Sequence, residues 1–552
     1  MRKFLVGVAA VCGVFGCLQL AAEESVDLRV VNSIRDEAFG SKSKVMDTAF
    51  YLTDVYGPRL TGSPNIKAAG QWAIKRMTDW GLANAKMEPW GPFGRGWYCT
   101  RFSASMTEPG FSPLIGFARP WSPGTGGPVR GQAIMAVISS PQDFEKFKGK
   151  LRGKIVLIAN PTPSEMLTAP LAHRLTDAEL QSEATAPDPT SGNPAGLPVG
   201  FLFDRPAPQR ERGGQGPRVN NREFRKQLNK FLKDEGVLVV LSSGLGTTMT
   251  DGGDVFATAA GSQDPTQELP PPSVALASEH YNRIARLLDH NIPVTLEFDI
   301  DAKFTEPADS FNITAEIPGT DPNAGVVMLG GHFDSWTGGT GATDNAAGAA
   351  VAMEAVRILN SLGLKMRRTV RIALWSGEEE GLLGSRAYVK QHFGDPADMQ
   401  PKPEQAKVSA YYNLDNGSGR IRGIYLQDNN MVRPIFTAWL EPFKDLDAST
   451  VTIRRTGSTD HVAFDAVGIP AFQFIQDPLE YSTRSHHSNM DLYDRLQAGD
   501  LEQASAVMAW MVYNTAVCPD MLPRKPLPKP STRHEGETNE TEKAAAKPTS
   551  AK

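Results

Sequence analysis

Val326-Val327-Met328-Leu329-Gly330-Gly331-His332-Phe333-Asp334 is the stretch on which the fold turns. Four consecutive apolar residues without alternation describe a strand covered on both faces, as inside a parallel sheet. An imidazole and a carboxylate follow at its carboxyl end, where loops leave parallel strands and reactive groups collect. The pattern then repeats. Residues 344–362 are Ala-rich and helical, ending at Gly363, and 370–375 read as the next strand. A helix over 382–393 follows, then strands over 408–414, 424–426, 451–453 and 471–475, and a closing helix over 501–516. This alternation predicts an α/β fold for 301–518, a mixed, mainly parallel sheet sandwiched by helices.

Upstream the character changes. Short β-rich runs recur over 133–138, 154–159, 237–241, 274–277 and 294–298, so 120–300 reads as a small β-rich domain. A Pro/Gly/Arg-rich stretch near 183–222 lacks periodicity and is expected to be an exposed loop. Residues 23–119 carry the turn Gly57-Pro58-Arg59-Leu60-Thr61-Gly62-Ser63-Pro64 and then a helix over 65–80. Residues 1–22 have the order of a secretory signal peptide: Arg2 and Lys3, an apolar run, then Ala21 and Ala22. Export to the periplasm or beyond is therefore expected, with Cys17 after Val-Phe-Gly as an alternative point of lipid anchoring. No segment after the leader reaches the ~20 apolar residues of a membrane span. Residues 519–552, rich in Lys, Pro, Glu and Thr, are expected to be a disordered tail.

With 552 residues the chain exceeds a single core. Its 57 basic and 62 acidic residues show no long basic run, which argues against a nucleic-acid partner. Cys12 and Cys17 fall in the leader, leaving Cys99 and Cys518, whose pairing spacing alone does not decide. A metal in this chain must therefore use imidazole and carboxylate.

Such groups stand at every strand exit. His332 and Asp334 follow the first strand, Asp344 follows a Gly-rich loop over 337–341, and Glu378-Glu379-Glu380 follow the second strand. Asp415 ends the strand over 408–414, and His486-His487 lie in the loop after 471–475. His and carboxylate suit zinc when thiolate is absent. Two zinc ions about 3.5–4 Å apart need one bridging carboxylate and further ligands on each side, a demand five residues meet. Asp334, two residues beyond His332, is positioned to accept the ring's second N–H. Each residue alone also has an ordinary reading: Asp344 as a helix N-cap, the three glutamates as a solvated turn, Asp415 as a turn residue and His486-His487 as a surface pair. His461 reads as structural. Gly338, Gly339 and Gly341 read as turn formers, without a phosphate-cradling motif.

Gly-His-x-Asp-Ser, Asp-Asn-Ala-Ala-Gly, Glu-Glu-x-Gly-Leu-x-Gly-Ser, Asn-Leu-Asp and His-Ser-x-x-Asp occur in that order. Together they resemble the co-catalytic di-zinc exopeptidases of peptidase family M28, over roughly 50–518. The resemblance implies a zinc aminopeptidase-like fold and identifies 120–300 with the protease-associated (PA) domain that many members insert. It implies two Zn²⁺ per chain, one held by His332, Asp344 and Asp415, the other by Asp344, Glu379 and His487. Glu378 becomes the general base, Asp344–Asn345 a candidate cis peptide, and Tyr481 a hydrogen-bond donor to the oxyanion. The implied substrate is a peptide cut near a terminus, with an aminopeptidase favoured over a dipeptidase or carboxypeptidase. A glutaminyl cyclase-like acyltransferase and a receptor-like binding protein are the readings from other classes.

Overall fold

In the computed structural model, residues 26–162, 168–188, 221–244 and 252–530 are described. The leader with Cys17, most of the Pro/Gly/Arg-rich stretch and residues 531–552 lie outside them. Two eight-stranded sheets organise the chain.

The first sheet takes its strands from β1 (Ala83–Gly94), β2 (Ala308–Ile317), β3 (Val326–His332), β4 (Thr369–Trp375), β5 (Val408–Asn413), β6 (Ile421–Tyr425), β7 (Thr450–Thr452) and β8 (Ala471–Gln476). Their order is β1-β2-β4-β3-β5-β8-β6-β7. The central β4-β3-β5-β8 block is parallel, β2 and β6 flank it antiparallel, and β1 pairs antiparallel with β2. The doubly covered reading of β3 is visible in its packing. Val327 and Leu329 face one core with α2 (Ala347–Ser361) and α4 (Ala498–Val517). Met328 faces the other, with Tyr388 and Val389 of α3 (Leu383–His392) and Phe464. The helix expected over 65–80 is α1 (Pro64–Asp79), with Ser63 Oγ capping the N–H of Ile66 at 3.3 Å.

Between β1 and β2 the chain leaves this sheet and builds the second, from strands spanning Trp97–Glu108 to Thr295–Phe304. Gly94 and Ala308 sit opposite each other at the two ends of the excursion. The sequence boundary at 120 falls inside this sheet, because Trp97–Glu108 pairs antiparallel along Thr295–Phe304. Cys99 and Cys518 form no disulfide with each other. No described helix is long and apolar enough to cross a membrane.

Two local expectations change. Residues 519–530 are irregular but anchored: Leu522 is buried, Asn429 Nδ2 donates to Pro523 O at 2.8 Å and Lys525 Nζ to Gln427 O at 2.7 Å. The helix expected from Asp344 begins at Ala347, since Asp344 (φ −132°, ψ 83°) and Asn345 (φ −138°, ψ 45°) are non-helical and joined by a cis peptide.

Candidate metal centre

Four of the parallel strands end around one point, and the loops leaving them supply the side chains. His332, the last residue of β3, is 1% exposed; its Nε2 lies 3.1 Å from Asp344 Oδ1 and 3.2 Å from Asp415 Oδ1. The other oxygen of Asp344, Oδ2, lies 3.2 Å from His487 Nε2, and His487 Nε2 lies 3.0 Å from Glu379 Oε2. Thus Asp344 stands between two imidazoles, each of which faces a second carboxylate. Ligand atoms of His332, Asp344 and Glu379 fall within 4.8 Å of one another, as do those of Asp344, His486 and His487.

Asp344 is free for this role because it is not the cap of α2. The first turn of α2 is met by Asn345 instead, its Oδ1 accepting from Gly348 N at 2.9 Å and its Nδ2 donating to Leu414 O at 2.8 Å. Asp491 fixes the backbone on the other side: Oδ1 accepts Thr343 N at 2.6 Å and Thr343 Oγ1 at 2.8 Å, and Oδ2 accepts Asp344 N at 3.2 Å. The motif His-Ser-x-x-Asp contained Asp491, but nothing local to it signalled this contact.

The expected bond from His332 to the Asp334 carboxylate is replaced. His332 Nδ1 meets the backbone oxygen of Asp334 at 3.1 Å, while Oδ1 lies 3.6 Å away, beyond hydrogen-bond reach. The Asp334 side chain is turned instead toward the glutamate loop. It accepts Thr61 Oγ1 at 2.9 Å, Glu378 N at 3.4 Å and Glu379 N at 3.3 Å. Asp334 therefore orients the glutamate pair as well as the His332 ring.

Arg59, from the turn Gly57–Pro64, was not singled out and is fully buried. It donates to Phe333 O (2.8 Å), Leu52 O (2.5 Å), Thr340 O (2.9 Å) and Gly341 O (3.0 Å), stapling both ends of the loop between His332 and Asp344. Gly341 adopts φ +68°, and a Cβ there would come within 2.3 Å of Ser335 Cβ, so this loop tolerates no side chain at that point. Burial lowers the Arg59 pKa to about 10, partly offset by Asp491, Asp334 and Asp344, and it stays charged at neutral pH. Replacing Arg59 with Lys leaves buried carbonyls without donors, because an ammonium cannot reproduce the planar fork. A stability loss of about 2–4 kcal/mol is expected in urea denaturation.

The electrostatics are those of a crowded acidic cluster. Burial pushes the Glu378 carboxyl well above the usual range; the His332 cation draws it down, while Asp415, Asp460 and Glu379 add to the rise. Burial likewise lifts Glu379 to about 7 against the pull of His487. For His487 burial opposes the charge, yet Glu379 and Asp344 outweigh it and raise the pKa to about 10. Burial also opposes the charge on His332, and Asp415, Asp334 and Asp344 again raise it well above its ordinary value. His486 goes the other way, to about 4, through burial and the neighbouring His487.

These groups test whether a metal fits. One imidazole N–H cannot satisfy two carboxylates, and Asp344 Oδ2 and Glu379 Oε1 are buried without a well-formed hydrogen bond. Such orphaned acceptors beside paired imidazoles are what a cation between them would satisfy, and a His and carboxylate donor set suits zinc. Glu380 is also inside, its oxygens buried without a well-formed hydrogen bond beside Thr61 and Asp334, and burial raises its pKa well above the usual carboxylate range. Tyr481 packs its ring 4.8 Å from His486, and burial, with Asp344, Asp415 and Glu379 nearby, holds its hydroxyl protonated. His461 is buried with Nε2 3.1 Å from Thr456 O, off the cluster. Aromatic rings lie beside the cluster: Phe256 is 5.6 Å and Trp336 6.0 Å from the His487 ring.

A mixed α/β sheet with this cluster at its parallel strand ends belongs to a metallo-exopeptidase, a hydrolase. Residues 312–512 match Peptidase family M28, and that segment is a domain of this family. Carboxypeptidase Q of Homo sapiens is 25% identical over 475 residues, covering 86% of this chain and 85% of the relative. The crystal structure of a peptidase M28 precursor from Shewanella amazonensis SB2B superposes with a TM-score of 0.62 at 24% identity, over 91% of this chain and 98% of that one. A zinc aminopeptidase from Bacillus subtilis shares the fold with a TM-score of 0.51 at 18% identity, over 86% and 95% of the two chains.

Proposed function

We propose that the chain is an exported di-zinc exopeptidase that hydrolyses the peptide bond next to a chain terminus, with the amino terminus favoured. The observation that carries this reading is the double engagement of Asp344, whose Oδ1 faces His332 and whose Oδ2 faces His487. His332, Asp344 and Asp415 would hold one ion; Asp344, Glu379 and His487 would hold the other. Zinc bound there supplies the positive field that acidifies a water toward a pKa of ~7 and polarises a peptide carbonyl.

The remaining work falls to this chain's own side chains. Glu378 takes a proton from the attacking water and returns it to the departing amine, a two-way transfer that one positioned carboxylate can perform. Asp334 keeps Glu378 and Glu379 in register through their backbone N–H groups. Tyr481, protonated and close to the cluster, donates to the oxygen on which charge develops. Phe256 and Trp336 form an apolar wall that excludes water and meets the substrate.

The similarity to carboxypeptidase Q over most of both chains favours one second reading, cleavage at the carboxyl terminus or of dipeptides at the same centre. Zinc analysis of the purified chain, paired with a digest of peptides blocked at one end or the other, decides. About two zinc equivalents and loss of residues only from peptides with a free amino terminus are expected. One equivalent with no hydrolysis of any peptide would sink the reading. Export rests on the charged, apolar and small-residue order of residues 1–22.

A further inference from the structure

The loop that carries Tyr481, His486 and His487 leaves the first sheet after Gln476, and its backbone is held from the second unit at two separate places. At the first, His173 and Leu479 exchange backbone hydrogen bonds of 3.0 and 2.8 Å. That contact is locked by Asp477, which accepts Leu175 N at 2.9 Å, Arg174 Nη1 at 2.9 Å and Arg422 Nη1 at 2.7 Å. Arg174 also reaches Asp500 at 2.9 Å. At the second, Ala257 N donates to His487 O at 3.2 Å and Asn489 N to Val255 O at 3.2 Å. The Asn489 side chain doubles this link, accepting Val255 N at 2.6 Å and donating to Gly253 O at 3.1 Å.

The two places share a property. Leu479 (φ 46°) and His487 (φ 59°) both occupy the left-handed region, which residues with a Cβ enter only when their surroundings impose it. Each is bonded through its backbone to the second unit. The segments that impose the conformation, 168–175 and 252–257, come from the excursion between β1 and β2 rather than from the sheet that bears the other proposed ligands.

We infer that the second unit is a positioning clamp for the metal centre: its two backbone bridges hold Leu479 and His487 in a conformation the loop would otherwise abandon, and so aim the His487 imidazole at Asp344 and Glu379. Arg174 and Asn489 are the positioning residues that lock the bridges. The inference rests on the proposed di-zinc reading for its consequence but not for its geometry.

Asn489→Ala and Arg174→Ala, made separately in the full chain, test it by two readouts. In the zinc-free protein, amide exchange across 477–491 is expected to quicken about tenfold while exchange in β3 and β5 stays unchanged. In the zinc-loaded protein, one equivalent is expected to pass to a chelator about tenfold faster or more, the other at the native rate, as for partners that orient a ligand. Adding Leu479→Gly to Arg174→Ala should slow that release again, because glycine enters the left-handed region without the cost. Native exchange in both single variants overturns the clamp, and so does equal acceleration of both zinc equivalents. A native chain that takes up no zinc instead overturns the di-zinc reading, while exchange in that same zinc-free chain still decides the clamp.

Discussion

Glu378→Gln is expected to lower kcat by about 100- to 10,000-fold while both zinc equivalents stay bound. Gln keeps the shape and a hydrogen-bonding oxygen but cannot accept a proton from water. The proposed ligands are untouched, and the backbone N–H groups of residues 378 and 379 still meet Asp334. Removing a carboxyl from beside Asp415, Asp460 and Glu379 relieves like-charge crowding, so the melting temperature of the zinc-free chain should hold or rise. Steady-state kinetics beside metal analysis reads this directly. A fully zinc-loaded variant within tenfold of native kcat would remove Glu378 from the mechanism.

Asp344→Asn should be the most damaging single change to metal binding. Its two oxygens face different imidazoles, so one substitution weakens both proposed sites at once. Retention of both ions is expected to fall beyond the 10- to 100-fold seen for partners outside the ligand set, and hydrolysis to fall to background. The comparison with Asp415→Asn and Glu379→Gln carries the argument. Asp415 lies 3.2 Å from His332 and Glu379 3.0 Å from His487, so each of these should chiefly cost one ion and spare its neighbour. Metal analysis after dialysis distinguishes the three variants. An Asp344→Asn protein holding both ions, beside an Asp415→Asn protein holding neither, would refute the bridging arrangement.

The parallel core was readable because burial on both faces leaves a local mark. Residues 326–329 are a continuous apolar run, 370–375 and 408–414 are largely apolar, interrupted by Arg371 and by Ser409 and Asn413, and each supplies a central strand. The edge was not readable for the opposite reason. Ala83–Gly94 contains Pro89, Pro92 and polar residues that only an edge strand with one covered face accommodates. Trp97–Glu108 and Ala308–Ile317 were missed likewise, since their partners lie far along the chain. At the site, residue chemistry at strand exits pointed to the gathered imidazoles and carboxylates. What stayed hidden were the groups that orient them. Arg59 reaches carbonyls more than 270 positions away, and Asp491 and Thr61 accept the backbone N–H groups of Thr343 and Gly377, which carry no side-chain signature. Sequence spacing also suggested the wrong acceptor for His332 Nδ1, because it cannot distinguish the carbonyl of Asp334 from its carboxylate.

The facing pair Gly94 and Ala308 has a further consequence. To the first sheet, β1 and β2 are an ordinary hairpin whose tight turn has been exchanged for a whole second layer. Closing so long a turn costs only logarithmically more chain entropy than closing a short one, and the layer brings apolar clusters of its own. A graft entering and leaving at one rung disturbs no other pairing, so such architectures are free to acquire, trade or enlarge the passenger without redrawing the host sheet.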